Sequence, residues 1–151
     1  MIKLIIWSKD RACQLHFLLE TLEKHAPYIF ESHVVYTFSS IKYGEGYDIL
    51  KARFPNVVFH KETTIAETTR NLVNETTNSM ICFATDDCVV FRDIPDVPVE
   101  LKYGQCFSFR YGLNTILQNY FDGSLQPPLN RYATVDKDKK IIAWNALDYH
   151  P

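Results

Sequence analysis

Several familiar signatures are missing from this chain of 151 residues. It holds only five glycines, and they form neither a GxGxxG turn nor a GxxxxGK loop followed by Ser or Thr. Ordinary dinucleotide and P-loop sites, in which glycines bring backbone N–H groups against a phosphate, are therefore disfavoured. A positive excess is absent too. The formal net charge of −2 leaves no basic stripe for a nucleic-acid backbone, so any anionic ligand must be held by a few local cations or by a metal ion. No apolar run approaches the roughly 20 residues of a membrane span. Met1 to Trp7 is too short for a secretory leader and runs at once into Lys9, Asp10 and Arg11. The four cysteines (Cys13, Cys82, Cys88, Cys106) lack the close paired spacing of a zinc site, and two fall in predicted buried strands. They read as reduced and structural, which sets the expected location in the cytoplasm. Internal repeats and low-complexity segments are absent as well.

What is present is one ordinary domain, with hydrophobic residues at 46% and an aromatic share of 14%, high enough to fill a core and line a cleft with rings. The chain turns on Met80 to Arg92. An apolar run (Met80, Ile81, Cys82, Phe83, Ala84) stops at Thr85, Asp86 and Asp87, and apolar character returns at Val89, Val90 and Phe91. A strand apolar on both faces belongs inside a helix-covered sheet, and in such sheets ligands sit beyond the carboxyl ends of the strands. Two adjacent carboxylates there repel unless water, a cation or hydrogen-bond donors offset the charge. Taken alone, the pair reads first as a solvated turn between two strands.

Strand and helix alternate ahead of that point. Ile2 to Trp7 is a strand, and Leu15, Leu18, Leu19 and Leu22 mark a helix that Asp10 can cap and Pro27 follows. His33 to Phe38 is the second strand. Tyr47, Leu50 and Phe54 suggest a helix starting after the glycines at 44 and 46, and Val57 to Phe59 a third strand. A helix carrying Ile65, Thr69, Leu72 and Val73, with Asn78 near its end, leads into the fourth. The expectation is an α/β fold with a mainly parallel sheet flanked by helices. Beyond Arg92 the pattern changes. Gln105 to Arg110 reads as a strand and Tyr111 to Phe121 as an ambiguous aromatic stretch, while Arg131 to Val135 and Ile141 to Trp144 suggest a small β-hairpin.

In a parallel sheet the turns after strands one, two and four open on one edge, which gathers Ser8, Lys9 and Arg11 with Thr37, Ser39, Ser40, Asp86 and Asp87. Hydroxyls and a carboxylate suit a base and ribose, cations suit a diphosphate, and paired carboxylates suit a hard divalent ion bridging that diphosphate. Together they fit a sugar nucleotide.

The segments IIWSKDRACQL, ETTRNLV, ICFATDDCVVF, FSFRYGLNT and IIAWN, in that order, resemble the GT-A glycosyltransferases of the family 2 type, nearest the small glycosyltransferase domains encoded by chlorella viruses and their bacterial relatives. The resemblance covers nearly the whole chain. It implies a Rossmann-like GT-A domain over residues 1–151, with a nucleotide-sugar-binding half (1–92) and an incomplete acceptor-side half (93–151). Trp7, Ser8, Lys9 and Arg11 match the family's first nucleotide-contacting loop, and Thr37, Ser39 and Ser40 its second. Arg70 matches an arginine near the nucleotide, although a solvated helix charge is an equal reading; Arg110 is a weaker candidate. Thr85, Asp86 and Asp87 fall on the acidic DxD triplet with Thr in its first position. Asp86 then touches nucleotide and metal, and Asp87 aligns with the principal metal ligand.

The resemblance further implies Mn²⁺ or Mg²⁺ as cofactor and a nucleotide-sugar donor, a UDP-sugar ahead of a GDP-sugar. A hexosyl group would pass to a glycan or glycoprotein acceptor hydroxyl, in the host cytoplasm if the protein is viral. Relatives continue past the Trp144 segment into the stretch that supplies the acceptor site and, in inverting enzymes, the catalytic base. A form lacking that base is therefore expected: Asp148 is the one late carboxylate and matches no motif, and the five histidines read as structural. The competing expectation is a truncated, non-catalytic nucleotide-sugar-binding module. A nucleotidyltransferase would want a basic glycine-rich loop after the first strand.

Overall fold

A computed structural model of the protein describes residues 2–76, 80–94, 123, 133–136 and 141–144. The chain divides into two compact units, Met1–Pro98 and Val99–Pro151. In the first, β1 (Ile2–Lys9), α1 (Ala12–His25), β2 (Phe30–Thr37), α2 (Ile41–Arg53), β3 (Val58–Lys61), α3 (Ile65–Asn74) and β4 (Ile81–Thr85) follow one another. The four strands form a wholly parallel sheet in the order β3-β2-β1-β4. The α/β architecture expected from the alternation is present. In the second unit β5 (Ala133–Asp136) and β6 (Ile141–Trp144) pair antiparallel, with Ala133 opposite Trp144, so the expected hairpin is present as well.

Strand periodicity explains how the sheet is covered. Alternate β1 residues point to opposite faces. Leu4 and Ile6 pack with Leu15, Leu18, Leu19 and Leu22 of α1 and with Tyr47, Leu50 and Phe54 beside α2; Ile5 packs with Val35 and with Leu72 of α3. Two helices thus cover one face and α3 the other. Each fully buried leucine contributes roughly 1.5–3 kcal/mol. The chain runs from β1 outward through β2 to β3, then returns across the sheet to place β4 on the far side of β1. Strand order therefore reverses between β1 and β4, the place where a crevice opens above the carboxyl edge of an open α/β sheet.

Three local expectations are corrected. Helix α2 begins at Ile41 and contains both glycines. A Cβ at Gly44 would lie 3.0 Å from the Phe38 ring and one at Gly46 only 2.8 Å from the Ala12 Cβ, so glycine here serves close packing rather than a break. Asp10 does not cap α1. Its φ of 59° is left-handed, a region Asp tolerates, and its carboxylate instead accepts the Ser39 N–H at 2.7 Å; the N-cap position falls on Arg11 without a side-chain hydrogen bond. Finally, β4 lies at the border of the sheet among the described residues, with Phe83 49% exposed, rather than enclosed between neighbours.

Smaller differences concern the ends of elements. β2 starts at Phe30 and α3 stops at Asn74, where the sequence suggested His33 and the neighbourhood of Asn78. The Gln105 to Arg110 and Tyr111 to Phe121 segments, Cys106, Arg110 and Asp148 lie outside the described residues. Cys13, Cys82 and Cys88 are free thiols. No helix among the described residues is long and apolar enough to cross a membrane.

Candidate functional site

A cleft of about 360 Å³ opens over the reversal point. Its polar wall is made by Ser8, Lys9 and Arg11 after or at the end of β1 and by Thr85, Asp86 and Asp87 at the end of β4. Register explains the meeting, since β1 and β4 are paired through Trp7 and Thr85 and the Asp86 N–H donates to the Trp7 carbonyl at 3.1 Å. The ladder thus carries one residue past β4 and brings the Asp86 side chain beside Ser8.

The two carboxylates occupy different environments. Asp86 is buried, its side chain only 6% exposed, whereas Asp87 is 61% exposed. A buried carboxylate needs hydrogen-bond donors, and Ser8 supplies one, its hydroxyl donating to Asp86 Oδ2 at 2.8 Å. That bond fixes the rest of a chain. Because a carboxylate only accepts, the Ser8 proton is committed to Asp86, so at the 2.8 Å contact between Ser8 Oγ and the Tyr47 hydroxyl the tyrosine donates. The Tyr47 oxygen in turn accepts the Arg11 backbone N–H at 3.2 Å. Burial pushes the Tyr47 phenol above its ordinary pKa. The bonds with Ser8 and Arg11 oppose that shift, and the nearby Asp86 and Asp10 charges add to it.

Asp87 is oriented from its own turn: the Thr85 hydroxyl donates to its Oδ1 at 2.5 Å. The remaining oxygens converge, for Asp86 Oδ1 and Asp87 Oδ2 lie 3.7 and 3.9 Å from the same atom, Arg11 Nη1. Such long, half-exposed ion pairs stabilise the fold by at most about 1 kcal/mol. Their value is in marking a position that two carboxylate oxygens share around a cation. Among the described residues no group of three or more His, Cys, Asp or Glu side chains is placed to hold a metal. Two converging carboxylates nevertheless suit Mg²⁺ or Mn²⁺, which take one or two protein carboxylates and complete their shell with water and phosphate oxygens.

The rest of the lining is mainly apolar. Trp7 stacks on Phe83 with ring centroids 5.3 Å apart, and its indole N–H donates to Thr69 Oγ1 at 2.9 Å. Val35 and Ile65 continue the wall, and Glu62 closes it beyond β3. Of the residues singled out from sequence, Trp7, Ser8, Lys9, Arg11, Asp86 and Asp87 are brought together in this cleft. Thr37 ends β2 opposite Lys9, and Ser39 and the α2 N-cap Ser40 follow on the same edge, outside the cleft lining. Arg70 is exposed on α3 and does not line the cleft either.

Tyr47 and Glu62 were not foreseen. Tyr47 occupies a core position of α2, where its ring hides the hydroxyl that matters; a buried tyrosine must find a partner, and that requirement was the available signal. Glu62 falls in a connection that periodicity does not address. Nothing in the sequence pointed to His33 and His60 as a pair either: their rings stack, with His33 Nδ1 and His60 Nε2 at 3.0 Å, and neither lines the cleft.

Comparison with known proteins gives one relevant likeness. Over an aligned stretch of 101 residues the chain is 30% identical to the bifunctional glycosyltransferase pgtA of Dictyostelium discoideum. That stretch covers 61% of this chain and 13% of the Dictyostelium protein. No family model matches the chain, and no solved structure matches it. On sequence, then, the chain is distantly similar to part of a glycosyltransferase.

Proposed function

We propose that the chain is a GT-A-type glycosyltransferase domain that binds a nucleotide-diphosphate sugar, a UDP-sugar ahead of a GDP-sugar, and transfers the hexosyl group to an acceptor hydroxyl. One observation carries the reading: Asp86 and Asp87 direct oxygens to a common cation position at the point where strand order reverses. The distant likeness to a glycosyltransferase supports it. A divalent ion there would neutralise the departing diphosphate. Asp87 would be its principal protein ligand, and Asp86, held by Ser8, would share it. Arg11 would swing from the carboxylates to phosphate oxygens, with Lys9 adding charge at the cleft mouth.

A second reading, a nucleotide-sugar-binding module without catalysis, is favoured by the place of Arg11, whose guanidinium already offsets the carboxylate pair without a metal.

Calorimetric titration with UDP and GDP, with and without Mn²⁺, tests both readings. The expected outcome is nucleotide binding that Mn²⁺ tightens in the parent and no longer tightens in Asp87→Asn, while the melting temperature of that variant stays at the parent value because the side chain is exposed. Equal tightening in both proteins would remove the metal site, and failure to bind any nucleotide would remove the function. Release of free nucleoside diphosphate from a panel of sugar donors separates enzyme from binding module.

A further inference from the structure

The cleft has a chemical polarity that diphosphate binding does not use. Away from the carboxylates, past Val35 of β2 and the end of β3, the lining includes Ile65 and Glu62, the latter half-buried and with no side-chain hydrogen bond or ion pair among the described residues. The backbone of Glu62 is fixed, since its N–H donates to the Tyr36 carbonyl at 3.0 Å and extends the β2–β3 ladder one residue past β3. Strands stand roughly 4.8 Å apart, so the three spacings from β4 to β3 put the ends of the cleft roughly 14 Å apart along the sheet edge. A base, ribose and diphosphate in line bridge that span; a free phosphate or a monosaccharide does not.

An ionised carboxylate only accepts hydrogen bonds. Half-buried in the cleft lining and without a side-chain partner among the described residues, the Glu62 carboxylate is free to accept an N–H from a ligand. We propose that Glu62 reads the donor base by accepting a ring N–H. It thereby selects uracil or guanine, which carry that proton, over cytosine and adenine, which turn a bare ring nitrogen towards the carboxylate. Uracil offers one such N–H, and guanine offers a ring and an amino N–H side by side to the two carboxylate oxygens. The inference rests on the nucleotide reading above and adds base selection to it.

Glu62→Gln tests it without a cavity. The amide keeps the shape, loses the charge and can turn its NH₂ to a bare ring nitrogen. The parent is expected to bind UDP or GDP about tenfold or more tighter than CDP and ADP, the scale of one charge-assisted hydrogen bond, and the tighter of the two identifies the base. In Glu62→Gln that ratio should fall several-fold towards unity with the melting temperature unchanged. N3-methyl-UDP, which lacks the proton, supplies a second arm: the methyl group should weaken binding to the parent more than to the variant. Ratios unchanged between parent and variant would overturn base reading by Glu62 and leave the nucleotide site standing. Failure of every nucleotide to bind the parent would overturn both.

Discussion

Tyr47 reaches the site from a helix whose other buried residues merely pack. Its ring lies among the aromatic core, 4.6 Å from that of Tyr36, while its hydroxyl joins the Arg11 amide to Ser8 and, through Ser8, to Asp86. Replacing Tyr47 by Phe keeps the ring and strands both partners: the Arg11 amide loses its acceptor, and Ser8 loses the donor that completes its pair of bonds. Leaving buried polar groups unpaired costs roughly 1–3 kcal/mol. The denaturation midpoint of Tyr47→Phe should therefore fall by that equivalent with an unchanged slope against denaturant, and an unshifted midpoint would show the chain to be incidental. Asp86 and Asp87 were legible because polar residues abruptly ended an apolar run. Tyr47 was not, because a pattern of helix faces counts a buried tyrosine as apolar and cannot see where its oxygen points.

Helix α2 shows what local composition conceals. Two glycines within three residues look like a break, and in an isolated helix each costs up to about 1 kcal/mol against Ala. Here they let α2 lie against Phe38 and α1, and that approach carries Tyr47 to Ser8. Gly46→Ala should consequently destabilise by about 1–3 kcal/mol through overpacking on Ala12, reversing the sign that helix propensity alone would give. Thermal unfolding reads the effect, and Ala12→Gly in the same chain should relieve it. A higher melting temperature in the single variant would refute the close-packing account. The alternation of strands and helices was plain from apolar spacing. Helix start points were not, since Gly46 and Asp10 act through contacts with residues distant in the chain, Ala12 and Ser39, invisible to any window of neighbours.

The global stability of the molecule is tied to pH at a residue outside the cleft lining. Burial, then the adjacent His33, and also Lys3 lower the His60 pKa, with Glu75 opposing. The native state thus binds fewer protons than the unfolded chain near and below the ordinary histidine pKa of about 6.5. This contribution to stability is complete above that value and is lost as pH falls through it towards the lowered native value. Urea midpoints should drop between pH 7.5 and 5.5, and His60→Gln should flatten that dependence. A slope unaltered in the variant would assign the acid sensitivity elsewhere. The parallel sheet, its reversal point and the hairpin followed from the order of apolar segments. The mixture of charged and apolar groups lining the cleft did not, because it depends on which strand lies beside which.

The Trp7 contacts have an optical consequence. The chain has two tryptophans, Trp7 and Trp144, and the first lines the cleft with its indole N–H bonded to Thr69 and its ring stacked on Phe83. Indole emission responds to the polarity and quenchers around the ring, so a molecule entering the cleft will change the signal of a fluorophore built into its wall. With Trp144→Phe as background, occupancy can be followed in real time without a label.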